Sequence, residues 1–303
     1  MDGNHLDPAL YGALLNSAGV LDFQTGAYGR ARQLLAGAVT LRRTIGDKVE
    51  LSASLTNLGN VLCLQGDFER GGELFEESLT LGRELDDSWD VAAALNNLGN
   101  VSKALGEDER AAERFEESLS LFRDLGDTWN AAIALNNLGN IADRHADWVK
   151  ATQLLEESLA SFRALNDPWG TAVVLCNLSY VALHVGDIQR GRVLASESLR
   201  SLREAGDTGQ VPEAVEALGL AMGELGYAET MIRLLAASSM RREEMGVPGE
   251  QPRAEAVAQA ITKARAVTGE PNFDAAWKQG RAMTLEELLD YALGLGEDPA
   301  RAR

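Results

Sequence analysis

The chain has 303 residues, 45% of them hydrophobic, and a formal net charge of −18 with a pI near 4.6. That charge argues against a nucleic-acid-binding surface, because phosphate recognition needs clustered Lys and Arg. The two cysteines, Cys63 and Cys176, read as small apolar residues of a reducing compartment. No signal-peptide h-region opens the chain and no apolar run of ~18 residues occurs in it, so the expected location is cytoplasmic, with no membrane partner.

From residue 8 to about 245 the sequence repeats on a 40-residue grid. Leu58-Gly59-Asn60, Leu98-Gly99-Asn100 and Leu138-Gly139-Asn140 are in phase, with weaker copies around Gly19, Ser179 and Gly219. The hexapeptide LNNLGN stands at both 95 and 135; FEESL stands at 75 and 115, LEESL at 155 and ASESL at 195. Six in-phase units follow, and a period in the range of about 20 to 50 residues is the signature of stacked repeats. Such an array has no fixed length, since each unit packs only on its neighbours.

Each unit divides into two helices, A and B. In the unit from Asp87 to Gly126, Asp87 is the expected N-cap and Val91, Ala94, Leu95, Leu98 and Ser102 lie on one stripe of helix A, which stops at Gly106. Asp167 is followed by Pro168 at the first helical position, and Asp47 with Glu50 and Asp207 with Gln210 resemble capping boxes. Helix B carries Ala111, Phe115, Ser118, Leu119 and Phe122. Arg43, Arg83, Arg123, Arg163 and Arg203 close successive B helices, where a cation suits the helix C-terminus. The pairs Glu76-Glu77, Glu116-Glu117 and Glu156-Glu157 are expected on the solvated side of helix B.

Gly99 and its counterparts each cost a helix ~1 kcal/mol relative to alanine. The expected reason is close approach of helix B through small residues such as Gly71 and Ala111, with Phe75 and Phe115 filling space farther along. Trp89, Trp129 and Trp169 open three successive A helices and are expected to pack on the end of the preceding helix B.

After Gly246 the period fails. A loop over 247–252, an alanine-rich helix over about 253–268, a break at GEPNF, a short helix with Trp277 and a last helix to about Leu293, boxed by Thr284 and Glu287, are expected. This segment reads as the cap that covers the end of the array, with Trp277, Leu288, Leu289 and Tyr291 in its core and a disordered tail from 296. The division is therefore 1–250 for six repeats and 251–303 for cap and tail.

Catalytic signatures are missing. His5, His145 and His184 have no His or Cys partner at metal-ligand spacing, no serine sits in a nucleophile elbow, and no phosphate loop follows a strand. The expectation is a protein without enzymatic activity, metal or cofactor.

Leu95, Leu98-Gly99, Gly106-Glu107, Ala111, Phe115 and Ser118-Leu119 match the tetratricopeptide repeat pattern, and residues 8 to 245 resemble that family in its longer, kinesin-light-chain-like variety. Ser118 replaces the customary alanine. With the C-terminal FDAAWKQGRAMTLEELLDYAL, the chain also resembles the repeat region of bacterial signal-transduction ATPases and of LuxR-type and SARP-type transcription regulators, without their P-loop or helix-turn-helix. The resemblance implies an all-α, right-handed solenoid of six helix pairs that acts as a sensor or interaction portion, either excised or stand-alone. It implies, too, that helix A lines a concave groove. Asn57, Asn97, Asn137 and Asn177 then fall where family members bond a peptide backbone, with Asn60, Asn100 and Asn140 beside them and Asn96 and Asn136 adding to the ladder. Positions three and four apart share a helix face, and an amide offers both donors and acceptors to an extended chain. Lys103 and Arg144 would add charge contacts. The alternative expectation is that some asparagines bridge neighbouring A helices, and the alternatives for function are self-association through a terminal repeat and recognition of a small metabolite.

Overall fold

The computed structural model describes residues 7–246 and 253–297, and every regular element among them is an α-helix. Twelve helices form six A/B pairs: α1 (Pro8–Gln24) and α2 (Tyr28–Ile45), α3 (Lys48–Leu64) and α4 (Phe68–Glu84), α5 (Ser88–Ala104) and α6 (Asp108–Asp124), α7 (Thr128–Arg144) and α8 (Trp148–Ala164), α9 (Pro168–His184) and α10 (Ile188–Ala205), α11 (Val211–Glu224) and α12 (Ala228–Met245). Three more follow: α13 (Arg253–Thr268), α14 (Glu270–Arg281) and α15 (Leu285–Glu297). The chain divides into two compact units, 1–141 and 142–303, the division passing through α7.

Local chemistry sets the helix ends. Asp87 Oδ1 accepts from the backbone N–H of Trp89 and Asp90, both at 3.0 Å, and Asp167 Oδ1 accepts from Gly170 at 3.0 Å behind Pro168. Asp47 accepts from Glu50 N–H, but the return half of that box is absent; the Glu50 carboxylate goes to Arg42 at 2.7 Å instead. Asp207 bonds Gln210 N–H at 3.0 Å, yet α11 starts only at Val211. The A-to-B turns use a left-handed glycine, Gly106 at φ +79° among them, except where Ala146 takes the same geometry at φ +57°. Left-handed geometry costs a residue with a Cβ roughly 1–2 kcal/mol. Ala146→Gly is accordingly expected to raise stability by about 0.5–1 kcal/mol after the loss of chain entropy, read as a higher urea midpoint. An unchanged or lower midpoint would refute the strain.

Inside unit 1, a Cβ on Gly99 would lie 2.5 Å from Phe115 Cε1, and one on Gly59 2.6 Å from Phe75 Cε1. The large side chains of helix B therefore sit directly on the glycines rather than farther along. The small residues also approach as expected: a Cβ on Gly71 would come 3.2 Å from the Gly59 carbonyl oxygen. The serine that replaces the customary alanine has a defined role. Ser118 Oγ donates to the Ala92 carbonyl at 2.8 Å, as Ser198 does to Ala172 and Ser238 to Pro212 (3.3 Å), tying B to A across 26 residues each time. All three serines are buried, where a hydroxyl needs a partner.

The arginines that close the B helices do more than suit a helix end. Arg43 Nε meets Glu77 at 3.1 Å, Arg83 meets Glu117 at 3.5 Å and Arg163 meets Glu197 at 3.5 Å, each reaching the next helix B. The first glutamate of the motif is engaged too, Glu76 with Arg114 at 2.6 Å and Glu156 with Arg190 at 2.8 Å. The glutamate face is thus cross-linked rather than merely solvated, although exposed pairs contribute only about 0–1 kcal/mol each. Trp89 is 49% exposed. Its ring packs edge-on against Phe122 of the helix B that follows it, and its Nε1–H donates to Asp127 at 3.0 Å, whereas the sequence predicts packing on the preceding helix B.

In unit 2, α14 packs on α12, where Phe273 and Ala276 join Met231, Ile232 and Leu235; half-buried Trp277 stacks on Phe273 at 5.5 Å. The α15 helix returns to α10 and α12, burying Leu288, Leu289, Ala292 and Leu295 beside Leu199, Leu202 and Leu234, with Tyr291 partly buried. Its capping box is complete: Glu287 N–H donates to Thr284 Oγ1 at 3.2 Å and the Glu287 carboxylate accepts from Thr284 N–H at 2.8 Å. Two details differ from expectation. The break before α14 is a single residue, Gly269 at φ +77°, because Pro271 fits the first turn, and α15 runs on to Glu297. The expected loop at 247–252 and the tail beyond 297 lie outside the described residues.

Candidate functional site

Asn57 and Asn60 stand on α3, Asn96, Asn97 and Asn100 on α5, Asn136, Asn137 and Asn140 on α7, and Asn177 on α9. Helical spacing puts those of one helix on one face. The two amide columns meet between repeats. Asn57 Nδ2 donates to Asn16 Oδ1 at 3.2 Å, and Asn137 Nδ2 donates to Asn96 Oδ1 at 3.2 Å, both across 41 residues. The second asparagine of one repeat thus holds the first of the repeat before it. Ser54 Oγ also donates to Asn16 Oδ1, at 3.1 Å. Asn16 is the member that sequence reading missed; its signal is its place 80 residues before Asn96, weakened by Ser17 where later repeats carry the second asparagine.

Burial divides the set. Asn136, Asn137 and Asn177 are buried, whereas Asn57, Asn60, Asn96, Asn97, Asn100 and Asn140 are half-buried. Asn140 Oδ1 itself is enclosed and meets no hydrogen-bond donor among the described residues, a cost of about 1–3 kcal/mol to the fold. Lys103 is half-buried and Arg144 exposed, and both are already engaged in contacts of their own. A cavity of ≈390 Å³ beside Leu98, Val101 and Arg114 opens elsewhere in unit 1, but Arg114 is spent on Glu76, Ser102 and the Leu98 carbonyl.

In unit 2 the columns change chemistry. Tyr180 occupies the grid position of Asn60, Asn100 and Asn140, and Glu216 that of Asn96 and Asn136. The Asn177 Oδ1 accepts from Arg253 Nη2 at 2.8 Å, and the Arg253 guanidinium lies 4.1 Å over the Tyr180 ring. Tyr180 Oη donates to the Glu213 carbonyl oxygen at 3.3 Å, and burial holds the phenol well above its ordinary range. Beside it, Arg242 donates Nε to Glu216 at 2.7 Å and Nη2 to Glu213 at 2.8 Å, while Ser238 Oγ donates to Glu216 at 2.6 Å. Burial raises the Glu213 carboxyl even though Arg242 pulls the other way. Burial disfavours charge on Arg242 as well, yet its bonds and charge contacts with Glu216 and Glu213 hold it above the usual arginine range. Burial pushes the Cys176 thiol up to about 12 and the Cys63 thiol to about 11, so neither is a nucleophile near neutral pH. Among the described residues no group of His, Cys, Asp and Glu is placed to hold a metal ion, and no helix is long and apolar enough to cross a membrane.

Half-buried amides thus stand on α3, α5 and α7, and on α9 an amide oxygen and an aromatic face hold the guanidinium of Arg253. The tetratricopeptide repeat family model matches residues 50–124 and 90–164. No curated protein matches the chain. Among solved structures it is similar to BtubC from P. vanneervenii, at 21% identity over 75% of this chain and 95% of that one, with a TM-score of 0.59. A signal transduction ATPase with numerous domains that carries a tetratricopeptide repeat sensor, from Pyrococcus horikoshii, aligns at 13% identity and TM-score 0.63; 95% of this chain covers only 46% of that protein. A Rap protein complexed with competence and sporulation factor aligns at 13% identity over 91% and 78% of the two chains, with a TM-score of 0.65. At such identities the likeness is one of fold. Residues 50–164 thus match tetratricopeptide repeats, and the fold is all-α, of the helix-pair solenoid type of these structures, with similar helix pairs on either side of the matched segment among the described residues.

Proposed function

We propose that the chain is a non-catalytic module that binds an extended peptide or protein segment along the asparagine-bearing faces of its A helices. In this reading it is the cytoplasmic sensor arm of a bacterial signalling or transcription-regulatory protein, with 1–250 as the binding array and 251–303 as its cap. The observation that carries the reading is the bonded amide column. Each of the two inter-repeat bonds uses one position of each amide and fixes its plane, while Asn57, Asn60, Asn96, Asn97 and Asn100 are only half-buried. A fixed amide with donor and acceptor both presented matches the N–H and C=O groups of an extended chain at little entropic cost. The similar Rap protein, complexed with competence and sporulation factor, and the similar tetratricopeptide repeat sensor support it as neighbours of the same fold.

Peptides selected on the immobilised chain from a random display library provide the test. Asn97→Ala with Asn100→Ala is expected to weaken their binding at least about tenfold, a loss of ~1.4 kcal/mol, with the melting temperature unchanged. Asn137→Ala, which removes the bridge to Asn96, is expected to lower stability more than affinity. A library that yields no binder, or selected peptides indifferent to the double variant, would sink the assignment.

A further inference from the structure

We infer that Asn177 and Tyr180 form a subsite for a guanidinium group, that Arg253 fills it as a tethered stand-in, and that the segment this module binds carries an arginine there. The inference rests on the peptide-binding reading and names the side chain that α9 selects. Two features of Arg253 are those of a recognised ligand rather than of a packing residue. Its Nη2 donates to Asn177 Oδ1 at 2.8 Å and its guanidinium plane covers the Tyr180 ring at 4.1 Å, a pairing of amide and aromatic face that suits arginine and not a neutral isostere. The receiving groups are built into the fold: Asn177 is 5% and Tyr180 2% exposed, and Tyr180 is anchored through its hydroxyl to Glu213.

Charge in the surroundings points the same way. Arg253 lies over Tyr180, whose hydroxyl reaches the Glu213 backbone, and the Glu213 and Glu216 carboxylates both pair with Arg242. Without Arg253, two carboxylates there face the single guanidinium of Arg242, a local excess of negative charge that favours a cation. The element that delivers Arg253 is the least buried of the last three helices. Of the sixteen residues of α13 only Ala264 is fully buried, and Val267 is 73% exposed, whereas α14 and α15 bury Phe273, Ala276, Leu288, Ala292 and Leu295. Lifting α13 forfeits the burial of Ala264 and the partial packing of Val257, Ala260 and Ile261, less than α14 or α15 would forfeit, and a bound arginine replaces the contacts Arg253 gives up. A tethered group competes at an effective concentration on the millimolar scale, so it hides the subsite from weak ligands.

Titration of the full chain with Nα-acetyl-arginine amide, followed by NMR, tests this, with the citrulline counterpart as the uncharged control. Arg253→Ala is expected to bind the arginine compound at least about tenfold tighter than the unaltered protein does, and tighter than it binds citrulline, with shifts at Asn177 and Tyr180. Adding Asn177→Ala is expected to remove the gain. Equal binding before and after Arg253→Ala, equal binding of arginine and citrulline, or shifts elsewhere would overturn the subsite. Library peptides that depend on Asn97 and Asn100 but show no arginine preference overturn this inference alone; arginine binding with no peptide binding overturns the peptide reading alone.

Discussion

Gly280→Ala is expected to lift α14 off α12 and destabilise the C-terminal part of unit 2 by about 2 kcal/mol, within the usual range for overpacking. A Cβ at that position would stand 2.1 Å from the Arg233 carbonyl oxygen and 2.8 Å from Ala236 Cβ. The first of these is backbone, so no rotamer change relieves it; one helix must shift. Around the contact Phe273 and Ala276 are buried against Met231, Ile232 and Leu235, and Arg233 Nε donates to Gln279 at 2.8 Å, all of which a shift disturbs. Propensity acts in the opposite sense, since alanine is ~1 kcal/mol better than glycine inside a helix. The sign of the result therefore decides between the two effects. Gly72→Ala, whose added Cβ would come no nearer than 3.4 Å to Val101 Cγ1, is the matched control and is expected to be neutral or stabilising. Urea unfolding, with amide exchange across Glu270–Arg281, reads the difference. A Gly280→Ala protein as stable as its parent would show that α14 is not seated this closely.

The 40-residue grid made the six helix pairs legible, because each unit repeats its own caps, its stripe and its turn. Repetition failed to convey direction. Trp89 leans on Phe122 and Asp127, both later in the chain, and a periodic pattern is silent about which neighbour a side chain touches. The asparagine ladder was legible as a face, and bridging between A helices only as an alternative: choosing the pairs required knowing that residues 41 apart, rather than 40, come into contact. The α9 subsite depended on residues that break the pattern. Tyr180 in an asparagine column was a readable exception, whereas Arg253 lies after the period ends, where nothing in the repeat indicates which helix it meets. Gly280 was unreadable for the same reason, since its partner backbone is nearly fifty residues earlier.

The second large effect is expected from Arg242→Met, at about 3–5 kcal/mol near neutral pH, the range for removing one partner of a buried ion pair. Arg242 is the group that makes two carboxylates tolerable in the same place: the Glu216 side chain is 7% exposed, that of Glu213 19% and that of Arg242 11%. Methionine keeps much of the volume and removes the charge, leaving both acids with only lesser partners such as Ser238. The pH dependence separates this cause from a simple packing defect. Burial already raises the folded-state value for Glu213 while Arg242 pulls it down, so the substitution raises it further. When the folded form binds a proton more tightly than the unfolded chain, stability is greatest below the unfolded value, near 4.5 for glutamate, and falls as pH rises through the folded value. The deficit of Arg242→Met relative to the parent is therefore expected to shrink as pH is lowered from neutrality toward that value, the reverse of ordinary acid destabilisation. Adding Glu216→Met should recover a large part of the loss at neutral pH, because the double change removes a buried charge together with its partner. Urea titrations at several pH values measure both effects. A deficit that stays constant with pH, and a double variant no better than the single one, would mean that the network contributes packing alone.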